Sequence, residues 1–200
     1  VARRFVVIGR EAIASDDFLL DDVPGTSGRL DIGLRCVRAA LLVSHGLRRD
    51  VTVDLVLGGG PRAPRVMRIR GAGVKFLRPD ERALSVLARK VLASLADEGP
   101  GFVEVKPGID VARGGLDRVL SDAGAASLYV LEEGAPDVRG VADLATGDQV
   151  FFIGDPAGFD EASRARLQEA GARPVSVGPV SLHAEDVVTI LSNELDRRTP

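Results

Sequence analysis

The chain has 200 residues, 45% of them hydrophobic and 28% charged, with a formal net charge of −3. That suits one globular domain with a sizeable core, here residues 1–200, and no apolar run reaches the ~20 residues of a membrane-spanning helix. The single Cys36 excludes an intrachain disulfide, and only two histidines, far apart, argue against a metal site, so a cytoplasmic, metal-free protein is expected.

Arg4-Phe5-Val6-Val7-Ile8-Gly9 is a short apolar run that predicts a buried strand. Residues 14–28, rich in Asp, Ser, Pro and Gly, predict a loop. Leu30, Leu34, Val37 and Leu41 form one stripe of a helix that Gly46 ends. Val51 to Leu57 predicts a strand stopped by Gly58-Gly59-Gly60-Pro61. Val66–Ile69 and Val74–Leu77, flanking Gly71 and Gly73, suggest a small hairpin. A second helix starts at Pro79-Asp80, with Leu84, Leu87, Val91 and Leu95 on one face, and Gly99-Pro100-Gly101 ends it. Phe102–Val105 predicts a strand and Arg113–Ala123 a helix. Leu128–Leu131, Val150–Ile153 and Pro174–Val177 are further strands. Asp160 is placed to cap a helix running to Ala170, and His183–Arg197 is the final helix. Alternating strands and helices predict an α/β fold with a mostly parallel sheet.

Familiar nucleotide sites are missing. Pro61 removes a donor from the Gly58-Gly59-Gly60 run, and no Gly-Lys-Ser/Thr follows, so there is no Walker loop. No Gly-x-Gly-x-x-Gly opens a helix after the first strand, and no nucleophile elbow supports Ser-His-Asp hydrolysis. What remains is a set of late loops: Leu131-Glu132-Glu133-Gly134, Ile153-Gly154-Asp155 and Ser176-Val177-Gly178. Each follows a strand, where open α/β sheets bind small ligands. Their backbone groups could meet a purine edge, or the glycines could simply turn the chain.

These segments together resemble the SPOUT class of S-adenosylmethionine-dependent RNA methyltransferases, and within it the archaeal-type tRNA pseudouridine N1-methyltransferase family, TrmY. The resemblance spans almost the whole chain. Its distinctive signatures are Pro24-Gly25-Thr26-Ser27-Gly28-Arg29-Leu30-Asp31 and Asn193-Glu194-Leu195-Asp196-Arg197-Arg198. Ser44-His45-Gly46-Leu47-Arg48-Arg49-Asp50 and Leu77-Arg78-Pro79-Asp80-Glu81-Arg82 add to them.

The resemblance implies a SPOUT α/β knot: a parallel sheet whose C-terminal segment threads a loop to form a trefoil knot. It implies an S-adenosylmethionine pocket lined by Leu131, Gly154, Asp155, Gly158, Ser176, Gly178 and Leu182, with His183 at its edge, in a homodimer. The implied substrate is the pseudouridine at tRNA position 54, in the T-loop. Another RNA of the same chemistry, or a non-catalytic RNA-binding role for the knot, are the alternatives.

In such a reaction a carboxylate near pseudouridine N1 could take its proton as the methyl arrives. Asp31 is the candidate base, with Arg29 and Arg35 as clamps on phosphate or uracil carbonyls. Asp31, Arg35 and Arg38 also lie at helical spacing and could be a surface ion-pair ladder. Arg82, Asn193 and Arg197 are candidate RNA contacts. Arg82 could instead pair with Asp80 or Glu81, and Arg197 could serve the helix end. The first 90 residues hold 17 Lys and Arg against 10 Asp and Glu, and the rest 9 against 19, so the first half is the candidate polyanion face. With no Trp and one Tyr, an aromatic platform is not expected, and arginines would have to carry RNA binding.

Overall fold

The computed structural model describes residues 2–95 and 99–198. The first strand, β1 (Arg3–Ile13), organises the rest. Phe5 and Val7 face one side, Val6 and Ile8 the other, and all four are buried. A strand covered on both faces reads as an unbroken apolar run, as this one does.

After β1 come α1 (Val23–Thr26), α2 (Leu30–Leu41), β2 (Leu42–Val43), β3 (Gly46–Leu47), β4 (Val51–Gly59), β5 (Arg65–Arg70) and α3 (Glu81–Leu92). The second half holds β6 (Val103–Lys106), β7 (Ile109–Arg113), α4 (Leu116–Ser121), β8 (Ser127–Leu131), β9 (Gln149–Gly154), α5 (Glu161–Glu169), β10 (Arg173–Val175) and α6 (Ala184–Arg198). Among the described residues eight strands form one sheet in the order β10-β8-β9-β1-β4-β5-β7-β6. From β10 to β4 all neighbours are parallel; the β4-β5-β7-β6 flank is antiparallel.

The pleat divides the core in two. On one face Phe5, Val7, Tyr129 and Phe151 meet α2, α3 and α6; on the other, Val6, Ile8, Val130 and Phe152 meet α4 and α5. Phe151 stacks between Phe5 and Tyr129, with ring centroids 5.7 and 5.1 Å away. Gly33 lets α2 come close to β4, since a Cβ there would lie 3.2 Å from the Leu55 methyls. Val188, Leu191 and Leu195 of α6 are buried on the α2 side of the sheet.

Several expectations are corrected. Val74–Leu77 is not a strand: β5 pairs with β7, Val66 opposite Ala112, so its partner comes from beyond α3. The predicted helix from Arg113 starts only at Leu116, because Ile109 and Val111 build β7 and Gly114 (φ 102°) turns the chain first. The first long helix stops at Leu41, and Leu42–Leu47 folds into the small β2–β3 hairpin with His45 in its turn. Leu95 lies past the end of α3 and is 64% exposed, so it leaves the apolar face assigned to it.

The last stretch of chain is laced to the β8–β9 connection. Ser176 donates from N to Pro136 O and from Oγ to Ala135 O, and its carbonyl accepts from Val138 N. At the far end of α6 the Arg198 guanidinium reaches the carbonyls of Val138, Arg139 and Val141, over a 3₁₀ turn at Val138–Gly140. Asp196 on the same helix receives Arg48 at 2.7 Å and Arg3 at 2.5 Å.

Candidate active site

Register brings the late loops together. Val175 of β10 lies opposite Leu131 of β8, Val130 opposite Phe152 of β9, and Ile8 of β1 opposite Gly154. Adjacent strands are about 4.8 Å apart, so the carboxyl ends of β10, β8 and β9 open side by side. The 131–136, 154–158 and 176–183 segments therefore line one rim of the sheet.

Their chemistry differs residue by residue. Asp155 is tied down: Oδ2 accepts from Arg10 N at 3.0 Å and Oδ1 from Ala157 N at 2.9 Å. It shapes its loop rather than offering a free carboxylate. Gly154 packs against Gly158, whose φ is 71°; a Cβ at Gly154 would lie 3.1 Å from Gly158 backbone atoms. Ser176 is likewise committed to the chain at Ala135. Leu131 is partly buried against the core. Gly178 (φ 151°) and Gly134 (φ 76°) face open space where a Cβ would stand. Nearby Val180 and Leu182 are 68% and 41% exposed. His183 is exposed and its carbonyl accepts from Asp186 N and Val187 N, starting α6. An open glycine cradle with uncovered apolar side chains suits an adenine ring and its ribose, and in that respect these residues fit S-adenosylmethionine.

A second cluster sits at the start of α2. Gly28 and Arg29 both take left-handed backbone, φ 61° and 67°, turning the chain into the helix. Only glycine does this freely; for an arginine the cost is of the order of 1–3 kcal/mol. Arg29 donates from Nε and Nη2 to Asp31 Oδ1 and Oδ2 at 3.0 and 3.1 Å. Arg35 Nη2 lies 3.2 Å from Asp31 Oδ2, and its Nε lies 3.1 Å from Glu185 Oε1, without hydrogen-bond geometry, at the start of α6. Asp31 has no accessible surface, whereas half of the Arg29 side chain is open to solvent. The hydrogen bonds that Arg29 donates to Asp31, and then the carboxylate's charge, raise the Arg29 pKa further. This is a buried anchor rather than a surface ladder, and Arg38 is not part of it. Arg29 and Asp155 border the same narrow crevice, with Val7 and Ile32 in its wall; at about 10 Å³ it brings the two residues together without itself holding a ligand.

The candidate RNA contacts disperse. Arg82 pairs with Asp21 at 3.0 Å, not with Asp80 or Glu81, and both partners are exposed. Asp80 caps α3 instead, accepting from Ala83 N. Arg197 Nε donates to Asn193 Oδ1 at 3.2 Å along α6, and only Asn193 of the three faces the large groove beside α2. Sequence reasoning missed Glu185, whose only signal was an acidic residue in a first helical turn, and it missed the groove itself. Cys36 is buried, and burial pushes its thiol up, so it packs as a small core side chain. Among the described residues no helix is long and apolar enough to cross a membrane.

This sheet, with its laced C-terminal segment, is a SPOUT α/β fold. It aligns with the crystal structure of Archaeoglobus fulgidus Nep1 bound to S-adenosylhomocysteine at a TM-score of 0.66, over 98% of this chain and 97% of that one, at 17% identity. The chain belongs to the family described as "Putative SAM-dependent RNA methyltransferase", whose model matches residues 2–199. Its relatives include the tRNA (pseudouridine(54)-N(1))-methyltransferases of Methanosarcina acetivorans and Methanococcoides burtonii. The first is 42% identical, covering 98% of this chain and 91% of the relative. The second is 39% identical, covering 98% and 96%.

Proposed function

We propose that this protein methylates N1 of pseudouridine 54 in the T-loop of tRNA, with S-adenosylmethionine as donor. The observation that carries the reading is near-full-length kinship to enzymes of that name, in a chain that sets Arg29, anchored by Asp31, beside the Asp155 loop. The three loops would hold the cofactor, with Gly134 and Gly178 beside the purine and Leu182 against it. His183 lies at the edge. The bound cofactor supplies an electrophilic methyl on a sulfonium.

The chain's own part is to place the acceptor. Arg29, half-exposed, is the group that meets a phosphate or a uracil carbonyl. Asp31 first acts through Arg29 and Arg35, because its oxygens are filled by them; to accept the N1 proton it would need Arg29 to swing away. Holding a nucleophile in line with the methyl supplies much of a methyl transfer's rate by itself. Arg82, Asn193 and Arg197 are further RNA contacts in this reading, the protein works as a homodimer in the cytoplasm, and no metal takes part.

Calorimetry with S-adenosylmethionine alone, followed by transfer of labelled methyl to tRNA carrying or lacking pseudouridine 54, tests the proposal. Cofactor binding and transfer only to the pseudouridine-bearing tRNA, with affinity falling steeply as salt rises, is the expected result. RNA binding without cofactor binding would reduce the protein to a non-catalytic binder. Transfer to ribosomal fragments instead would move the substrate.

A further inference from the structure

We infer that Phe76, with Lys75 and Arg38, forms a stacking subsite for an unpaired nucleotide next to the methylated one; this rests on the RNA methyltransferase reading above. A groove of about 990 Å³ runs between α2, the β2–β3 hairpin, the 75–79 segment and α6. Phe76 stands on its wall and is 74% exposed, the most exposed large apolar side chain among the described residues.

The ring is exposed on a pinned backbone. Val74 and Leu77 on either side are buried. Arg49 Nη1 donates to the carbonyls of Gly71 and Val74 at 2.8 and 2.7 Å. Arg78 pairs with Asp80 at 3.2 Å, and Asp80 caps α3. A phenyl ring held out this way is pre-organised for a flat partner, and less ordering is needed when one binds.

Charge selects the partner. The groove is lined by five cations and three carboxylates; Glu185 and Asp196 on the α6 side are matched by Arg35 and Arg48, and the exposed Asp186 enters no ion pair among the described residues. Arg38 and Lys75 are exposed on the groove, and among the described residues no ion pair takes either of them. An open aromatic face beside free cations is how proteins hold single-stranded nucleic acid: the base stacks and the phosphates meet the cations. Eight of the twenty lining residues are charged, whereas the core of a protein–protein contact is depleted of charge. Arg35 belongs to both the groove and the Asp31 cluster, so the subsite adjoins the reacting centre without being part of it.

The test compares the full-length wild type with Phe76→Ala and Phe76→Trp on a T-arm RNA carrying pseudouridine. Phe76→Ala is expected to raise the KM for RNA roughly tenfold, and Phe76→Trp to restore it to within about twofold, as stacking requires. Cofactor affinity by calorimetry and oligomeric state by sedimentation should not change. A KM equal to wild type overturns the inference, and so does a change in oligomeric state with Phe76→Ala, which would make a second copy the occupant. If the wild type transfers no methyl to any RNA, the activity reading falls separately. Fluorescence anisotropy with the same RNA then judges the subsite: weaker binding by Phe76→Ala supports it, and equal affinities reject it.

Discussion

Asp31 shows how much a side chain's surroundings decide its role. Its type and its place after Gly28-Arg29-Leu30 made it a candidate base; its burial between two guanidinium groups occupies its oxygens, and in the proposed reaction it acts first by positioning those groups. Asp31→Asn should therefore lower kcat/KM about 10- to 100-fold, chiefly through KM for RNA, with cofactor affinity unchanged. A loss of about 100-fold or more confined to kcat, with the acidic limb of the pH profile gone, would instead restore it as the base. Asp137 makes a second residue-scale case. The Arg139 side chain, then the Arg139 amide, holds its carboxyl down at about 2. That lies below the unfolded value near 4. Its contribution is thus complete above about pH 4 and disappears as pH falls through 2. Thermal melts between pH 5 and 2 should show a fall that Asp137→Asn makes shallower, by a modest amount because the group is partly solvated. An identical acid profile for the variant would remove the staple from the account.

At the scale of elements, the start of α2 is the tightest joint. Ser27 Oγ donates to Val23 O and accepts from Leu30 N, while Gly28 passes so close to β1 that a Cβ would lie 1.8 Å from Glu11 O. Gly28→Ala should destabilise the protein by more than about 1 kcal/mol, seen as a lower urea midpoint, because both the positive φ and the approach exclude a methyl. A midpoint equal to wild type would mean that the joint yields. The apolar stripes of α2 and α6 were legible because period 3.6 is a local property. The partner of β5 was not: Val66–Ile69 has the pattern of a strand, but nothing local says that it pairs across α3 with Ile109–Arg113 rather than with Val74–Leu77. Gly114-Gly115 marked the boundary between β7 and α4, yet a short strand and a helix start look alike over five residues.

For the molecule as a whole, the decisive contacts join distant parts of the chain. Arg198 binds three carbonyls about 60 residues earlier, Asp196 draws in Arg3 and Arg48, and Arg35 meets Glu185. Burial opposes ionisation of Asp196, but Arg48 and Arg3 outweigh it and hold its carboxyl below the ordinary range. These links clamp α6 to the sheet and so fix the loop before it. Arg198→Ala should cost roughly 1.5–3 kcal/mol in urea unfolding, since partly buried charge-assisted bonds are lost together. It should also weaken cofactor binding; full affinity in that variant would show that the loop keeps its shape without the clamp.

Taken alone, the residue order determined the α/β class, the helix faces, the family resemblance and the loops at the rim, because periodicity, capping and short motifs are written within a few turns of chain. Only tertiary structure decided that Asp31 is enclosed, that Arg82 turns to Asp21, that Glu185 joins the cluster, and that Phe76 stands open over a cationic groove. Burial and long-range pairing depend on which surfaces the finished sheet covers, and no local window contains that information.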